Sequence, residues 1–168
     1  MNGRAAIMVE VGDRIPSVVL PEQIGDEVTE VDIADRIAGK KAVIFGMPGA
    51  YTSTCSAAHL PSLIRTADAF RAKGVEELIV VVVNDVRVTE HWGRTSGATD
   101  KGITILADWN SELTKALGLE FNAPAIGFKD RMQRCAMYLE DGVVKVLQME
   151  TERGACDLTS GETLLEAI

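Results

Sequence analysis

One loop carries the residues best suited to covalent chemistry. The stretch from Gly46 to His59 contains a single cysteine, Cys55, directly after three hydroxyl residues at positions 52, 53 and 54. Hydroxyl residues cap helices, so the pattern predicts that Cys55 lies in a first helical turn, facing unpaired backbone N–H groups. There a thiol pKa can fall from about 8.5 to between roughly 3.5 and 7.5. Cys55 is therefore predicted to be a nucleophile, although its position alone equally allows a small core residue.

The elements that must position this loop follow an α/β pattern. Apolar runs at 41–45 and 78–83 predict strands that are buried on both faces, as in a parallel sheet. Between them, apolar residues recur at helical spacing over 60–70 and complete a β-α-β unit. Loops that follow such strands are where α/β folds keep their active sites.

The rest of the chain continues the alternation. A helix is predicted over 86–94, a strand over 103–107 and a helix that opens near 108–111 and ends at about 117. Asp141-Gly142 predicts a tight hairpin between strands 135–139 and 143–147, and Thr159 with Glu162 resembles a capping box for a final helix. Residues 11–32 form a predicted N-terminal extension with one or two short strands. The order predicts one domain over residues 1–168, a thioredoxin-like three-layer α/β sandwich with a mixed central sheet and flanking helices.

Charge and hydropathy exclude several function classes. Seventeen basic residues against 25 acidic ones give a net charge of -8, and no basic run exceeds Lys40-Lys41. Nucleic acid binding is not expected, and a neutral small substrate fits the charge best. The longest apolar run, 78–83, is too short to cross a bilayer, and residues 1–10 do not read as a secretory signal. We expect no membrane association and a cytoplasmic location, with an organellar location after removal of a transit peptide left open.

The other cysteines and the histidines predict no metal site and no cofactor. The chain has three cysteines and two histidines, His59 and His91, without a close cysteine pair. Cys135 follows Arg134 on a predicted strand, so its side chain should point away from the arginine and into the core. His59 lies four residues after Cys55 on the same helix face, from which it either tunes the thiolate or simply packs.

The loop also carries a spacing known from one protein family. Pro48-x-x-x-Thr52-x-x-Cys55 resembles the Pro-x-x-x-Thr-x-x-Cys signature of the peroxiredoxins. The longer phrase up to His59 is similar to their type II, or atypical two-cysteine, subfamily. The similarity covers nearly the whole chain from Val11 onward.

A later segment completes the resemblance. The segment from Arg131 to Met137 resembles the arginine strand of this subfamily, with Arg134 as the active-site arginine and Arg131 as a supporting one. Two residues depart from the pattern. Ser53 stands where proline would stiffen the loop, and Cys135 stands where an aromatic ring is usual.

The resemblance implies a thiol-dependent peroxidase that reduces hydrogen peroxide and organic hydroperoxides. Cys55 would attack the peroxide and become a sulfenic acid. Thr52 and Arg134 would align the peroxide and stabilise the departing oxygen, Pro48 would help to exclude water, and Tyr51 would shape the rim of the pocket. The family commonly pairs as homodimers, so a homodimer is expected.

The second half-reaction has two candidate routes. Cys156 lies roughly where animal-type members carry their resolving cysteine, whereas the plant-type position is occupied by Val80. Either Cys156 resolves the sulfenic acid, or an external thiol does: glutathione, glutaredoxin or thioredoxin.

Other function classes remain open at this stage. The same fold could act as a redox sensor or relay that passes oxidation of Cys55 to a protein partner, or as a binding module with an inert cysteine. A Cys-His hydrolase is less favoured, because no third group that would orient His59 can be named.

Overall fold

The computed structural model describes residues 7–152 and 154–168. Its central layer is a five-stranded mixed sheet. In spatial order the strands are β5 (Thr104–Ala107), β4 (Glu77–Val82), β3 (Lys41–Met47), β8 (Cys135–Glu140) and β9 (Val143–Met149). Strands β3, β4 and β5 run parallel, whereas β8 is antiparallel to β3 and β9 to β8. The predicted mixed sheet is confirmed.

Helices cover both faces of this sheet. On one face lie α2 (Leu60–Ala72), α3 (Val86–Ser96) and α5 (Gly161–Glu166), and on the other lie α1 (Ile33–Ile37) and α4 (Glu112–Ala116). Alternate residues of β3 and β4 enter two separate apolar cores, which explains why both strands read as continuous apolar runs. The three-layer arrangement, α/β with a thioredoxin-like fold, is as predicted.

Two antiparallel hairpins that the sequence predicts are present, one near the N-terminus and one between β8 and β9. Strands β1 (Val19–Ile24) and β2 (Glu27–Asp32) form an antiparallel hairpin, which confirms the N-terminal strand extension. Asp141 and Gly142 both have positive φ, 48° and 76°, the backbone that a tight β8–β9 turn requires.

A third hairpin was not predicted. Strands β6 (Glu120–Ala123) and β7 (Phe128–Met132) pair antiparallel and stand outside the central sheet. Each strand has four or five residues that are mostly half-buried, so the segment shows no clear apolar alternation.

The last helix begins one residue later than predicted. Its N-cap is Ser160, whose Oγ accepts the backbone N–H of Thr163 at 3.2 Å. Glu162 forms an ion pair with Arg65 of α2 instead of reaching back to the cap. The predicted Thr159–Glu162 capping box is therefore wrong, because the Thr159 hydroxyl donates to Glu150.

Candidate active site

Cys55 begins a single π-helical turn, Cys55–His59, between strand β3 and helix α2. Its side chain is fully buried. The helical backbone begins at Ser53, so Cys55 lies in a first helical turn as predicted. Two of the three candidate capping residues bond elsewhere: Thr54 donates its Oγ1–H to the carbonyl of Gly154 at 2.7 Å, and Thr52 donates to the carbonyl of Gly49. The thiol is therefore held inside the fold at the carboxyl end of β3.

The pairing of β8 with β3 brings Arg134 next to Cys55. Arg134 precedes Cys135, which pairs with Gly46 near the end of β3, so the antiparallel β3–β8 pairing brings Arg134 to the Cys55 loop. Arg134 is 9% exposed, and its Nη2 donates a hydrogen bond to the Cys55 sulfur at 3.3 Å. A buried cation with a fixed donor stabilises negative charge on sulfur and on a nearby oxygen.

His59 holds this guanidinium from the other side. Arg134 Nη1 lies 2.9 Å from Nδ1 of His59, and Nε2 lies 2.8 Å from the carbonyl oxygen of Thr159. The carbonyl can only accept, so the ring proton belongs to Nε2, and Nδ1 accepts from the arginine. Burial and then the adjacent Arg134 cation lower the pKa of His59 to about 3. The imidazole is therefore neutral and orients Arg134.

The neutral buried His59 predicts a pH-dependent stability. Its pKa is about 3 in the fold, against an ordinary value of 6.5. Between these values only the unfolded chain takes up this proton. The contribution of neutral His59 to the free energy of unfolding is therefore complete above about pH 6.5. It is lost as the pH falls toward 3, by about 1.4 kcal/mol per pH unit. Urea denaturation between about pH 7 and pH 4 should give the wild type a steeper fall in unfolding free energy than His59→Gln, and equal slopes would contradict this assignment.

Thr52 and Pro48 frame the approach to the thiol. Thr52 donates its hydroxyl hydrogen to the carbonyl of Gly49 at 2.9 Å, which leaves its oxygen lone pairs available as acceptors. The carbonyl of Pro48 accepts from Nη1 of Arg131 at 3.1 Å. A Cβ at Gly49 would lie 2.5 Å from the same Arg131 nitrogen, so a side chain there would displace the guanidinium.

The Arg131 side chain packs against its own β6–β7 hairpin. Its guanidinium carbon stands 4.7 Å from the centre of the Phe128 ring, a cation–π contact. Burial lowers the pKa of Arg131, and the charge of Cys55 acts in the opposite direction. Arg131 thus braces the Pro48 backbone and also contributes positive charge near the thiol.

A cavity of about 300 Å³ opens beside this group and is lined mainly by apolar surface. Its lining consists of the Cys55 loop, the β6–β7 hairpin, Arg134 and one glycine: Pro48, Thr52, Ser53, Thr54, Phe121, Ile126, Phe128, Arg134 and Gly154. Sequence reasoning missed the contribution of the hairpin. The only signal was two aromatic residues, Phe121 and Phe128, on either side of a segment that contains a proline and a glycine. Their rings meet edge to face at 6.2 Å.

Tyr51 points away from this cavity. It is 53% exposed, has a φ of 62° and shares a hydrogen bond between its hydroxyl and Nδ1 of His91 on α3. A second contact from α3 is the hydrogen bond from Trp92 Nε1 to Ser56 Oγ at 3.1 Å. Tyr51 therefore attaches the loop to α3 and is not among the residues that line the cavity.

The two remaining cysteines have different surroundings. Cys135 is fully buried against Gly46, where a Cβ would lie 2.7 Å from its sulfur, and burial raises its thiol pKa to about 12. Its predicted place in the core is confirmed. Cys156 is half-buried in the loop before α5, and burial raises the pKa of its thiol. All three cysteines are free thiols.

Comparison with known proteins identifies the family. A family model described as Redoxin matches residues 10–165. Peroxiredoxin-2E-2, chloroplastic, of Oryza sativa subsp. japonica is 41% identical over 164 residues, which cover 95% of this chain and 72% of that protein. The chain belongs to the peroxiredoxins. Its relatives carry peroxiredoxin-2 names, which is consistent with the type II subfamily.

A solved structure supports the same assignment. Reduced Prx3 of Vibrio vulnificus in complex with H2O2 is 38% identical to this peroxiredoxin, with a TM-score of 0.87, and the match covers 96% of this chain and all of that one. The peroxiredoxin is accordingly a thiol-dependent peroxidase, an antioxidant oxidoreductase with a thioredoxin-like fold.

The cellular location of this peroxiredoxin is not set by its relatives. Peroxiredoxin-2F, mitochondrial, of Arabidopsis thaliana is 36% identical over 88% of this chain and 73% of its own length, and the rice relative is named as chloroplastic. Among residues 7–152 and 154–168, no helix is long and apolar enough to span a membrane. The cytoplasmic location stays a prediction.

Proposed function

We propose that Cys55 is the peroxidatic nucleophile and that it reduces hydrogen peroxide and organic hydroperoxides. The observation that carries the proposal is the hydrogen bond from buried Arg134 to the Cys55 sulfur. The thiolate attacks the nearer peroxide oxygen, the O–O bond breaks, and the departing oxygen takes a proton and leaves as water or an alcohol. Cys55 is left as a sulfenic acid. Arg134 stabilises the thiolate first and then the negative charge that develops on the departing oxygen.

Thr52, Pro48 and Arg131 align the peroxide in this proposal. The Thr52 hydrogen is committed to Gly49, so its oxygen accepts a hydrogen bond from the O–H group of the peroxide. Pro48 offers no N–H group to bind competing water, and the hydrogen bond from Arg131 holds the Pro48 carbonyl in place. Positioning of this kind sets the attacking and leaving atoms in line.

The apolar side of the cavity supports organic hydroperoxides as substrates beside hydrogen peroxide. Phe121, Ile126 and Phe128 offer a surface for an alkyl chain, while Arg134 faces the polar peroxide group. Stopped-flow oxidation by hydrogen peroxide and by cumene hydroperoxide compares the two classes. A cumene hydroperoxide rate at the level of a free thiol would contradict the organic substrate.

We propose Cys156 as the resolving cysteine. The Cys156 thiolate attacks the Cys55 sulfenic sulfur, a disulfide forms, and the hydroxyl leaves as water after taking a proton. Two bonds keep the Cys156 loop beside the Cys55 turn: Thr54 to Gly154 at one end, and His59 to Thr159 at the other.

Replacing Cys156 with serine tests this step. We expect peroxide-treated wild type to form an intramolecular Cys55–Cys156 disulfide and Cys156→Ser to stop at sulfenic or sulfinic Cys55, detected by intact-protein mass spectrometry. Because thioredoxin reduces disulfides, the variant should lose turnover with thioredoxin. Only sulfenic or sulfinic Cys55 in the wild type would contradict the two-cysteine route and leave an external thiol, glutathione, glutaredoxin or thioredoxin, to resolve Cys55.

A redox relay is the second candidate function. Exposed Tyr51 places an aromatic ring beside the reactive loop, where a partner protein could dock. Slow reaction with peroxide but rapid trapping of a mixed disulfide with a protein would favour the relay over the peroxidase.

We also propose that the chain acts as one domain and pairs as a homodimer. Trp109 and Ile126 are 64% and 66% exposed, and both border cavities at the β6–β7 hairpin. Large exposed apolar side chains in one region favour a protein interface. Sedimentation of the wild type and of Trp109→Glu measures the association, and a wild-type monomer at micromolar concentration would contradict it.

A further inference from the structure

Strand β7 carries one residue more than the strand with which it pairs. Phe121 of β6 pairs with Arg131. Two residues further along β6, Ala123 pairs with Phe128, which lies three residues back along β7. Such an extra residue is a β-bulge, which bends a strand and redirects its side chains, and bulges are frequent beside active sites. We call residues 129–130, which lie between the two pairs, the β7 bulge.

The β7 bulge places the side chains of Phe128 and Arg131 on the same side of the strand. Residues three apart on a regular strand point to opposite faces, because successive side chains alternate. The guanidinium carbon of Arg131 nevertheless lies 4.7 Å from the centre of the Phe128 ring, and its Nη1 donates to the Pro48 carbonyl at 3.1 Å. Phe128 also lines the cavity beside the Cys55 loop. The extra residue therefore lets a charged and an aromatic side chain serve the same loop.

Asp130 supplies the backbone conformation of the bulge. Its φ is 50°, in the left-handed region that aspartate tolerates and β-branched residues avoid. Its N–H donates to Oδ1 of Asn122 at 2.8 Å, and its carbonyl accepts from Oγ of Ser111 at 2.6 Å. Its carboxylate forms an ion pair with Lys115 at 3.2 Å. Strand β6, helix α4 and the residue before α4 thus hold this conformation together.

We propose that Asp130 is a positioning residue, whose backbone conformation in the β7 bulge aims Arg131 at the Pro48 carbonyl. The carboxylate of Asp130 has a smaller part, because the Asp130 and Lys115 side chains are 27% and 53% exposed and exposed ion pairs contribute little. The effect of Asp130 on the reaction therefore runs through Arg131. This inference rests on the proposed function of Cys55 and on the alignment that Arg131 provides there.

Substitutions at Asp130 separate its backbone from its charge. Asp130→Val opposes the left-handed conformation, Asp130→Asn accepts it without the charge, and Asp130→Gly accepts it without a side chain. We expect Asp130→Val to slow the oxidation of Cys55 by hydrogen peroxide about tenfold, the loss expected for Arg131→Met, and the other two variants to stay within about twofold of the wild type. Stopped-flow oxidation measures the rates, and urea denaturation checks that each variant is folded.

A double variant tests whether Asp130 acts through Arg131. Asp130→Val combined with Arg131→Met should be no slower than Arg131→Met alone, because the side chain that Asp130 positions is then absent. A merely structural role would leave the two losses independent, at about a hundredfold together, and that result would overturn the proposal. A glycine variant as slow as the valine variant would overturn it as well, because the effect would then belong to the carboxylate.

Ser111→Gly keeps the test decisive if Asp130→Val does not fold. Glycine accepts the φ of 56° at this position, so the variant loses the hydroxyl that donates to the Asp130 carbonyl without new backbone strain. We expect oxidation of Cys55 to be about threefold slower in Ser111→Gly, and we expect no further loss when this change is added to Arg131→Met. An equal loss with and without Arg131 would contradict the proposal.

The outcomes also separate this inference from the proposed function. Wild-type rates in Asp130→Val and Ser111→Gly, with peroxide reduction lost in Cys55→Ser, would overturn the role of Asp130 and leave the peroxidase in place. Peroxide reduction that survives in Cys55→Ser would overturn the peroxidatic role of Cys55, and with it the alignment assigned to Arg131.

Discussion

Replacing Cys55 with serine is expected to lower peroxide reduction by roughly four orders of magnitude, to the level of the uncatalysed reaction. A hydroxyl is far less acidic than a thiol, and serine cannot form a sulfenic acid. Serine is close in size to cysteine, so it fits the buried position and can still accept the Arg134 hydrogen bond. Peroxide consumption in the presence of a recycling thiol measures the loss, and circular dichroism checks the fold.

Cys135→Ala is the matched control for this experiment. Cys135 is equally buried, and its raised thiol pKa of about 12 keeps it protonated and unreactive. We expect the control to retain peroxide reduction within about twofold. Peroxide reduction that survives in Cys55→Ser and is lost in Cys156→Ser would instead make Cys156 the nucleophile.

Replacing Arg134 with methionine is expected to lower the rate of Cys55 oxidation by about a hundredfold to a thousandfold. The variant loses the donor to the sulfur and the positive charge that faces the departing oxygen. It also leaves buried His59 Nδ1 without its donor, which is expected to lower the unfolding free energy by about 1 to 3 kcal/mol. Stopped-flow oxidation and urea denaturation measure the two effects separately.

Two further arginine variants sharpen this prediction. Arg134→Lys keeps the charge but cannot donate to His59 and Cys55 in the same forked geometry, so we expect an intermediate rate. Arg131→Met removes the brace on the Pro48 carbonyl and should cost only about tenfold. An effect as large for Arg131 as for Arg134 would contradict the separate roles of the two arginines.

Short-range patterns predicted the central sheet and the location of the reactive loop. The β3 and β4 strands are recognisable because both of their faces are buried, so their sequence is apolar throughout. Asp141-Gly142 predicts its own turn because both residues tolerate the left-handed backbone. Pro48, Thr52 and Cys55 lie within eight residues, so their proximity follows from the sequence.

Predictions failed where a side chain had several possible partners. Thr54, one of three hydroxyl residues that could cap the Cys55 helix, bonds instead to Gly154. Thr159 was expected to open α5 and instead bonds to Glu150. Hydroxyl residues bond equally well to local backbone and to distant groups. Which partner a hydroxyl takes depends on which distant segment lies within hydrogen-bonding distance in the fold. The residues next to the hydroxyl in sequence do not reveal that segment.

The sequence by itself determined the alternation of strands and helices and placed Cys55 in the loop after β3, because these depend on neighbouring residues. Family resemblance added Arg134, which is distant from Cys55 along the chain. Only the tertiary structure decided the state of His59, whose proton is placed by the carbonyl of Thr159, 100 residues later. It also placed Phe121 and Phe128 in the cavity wall. Burial and hydrogen-bond partners depend on which segments meet in space, and the folding of the whole chain decides that.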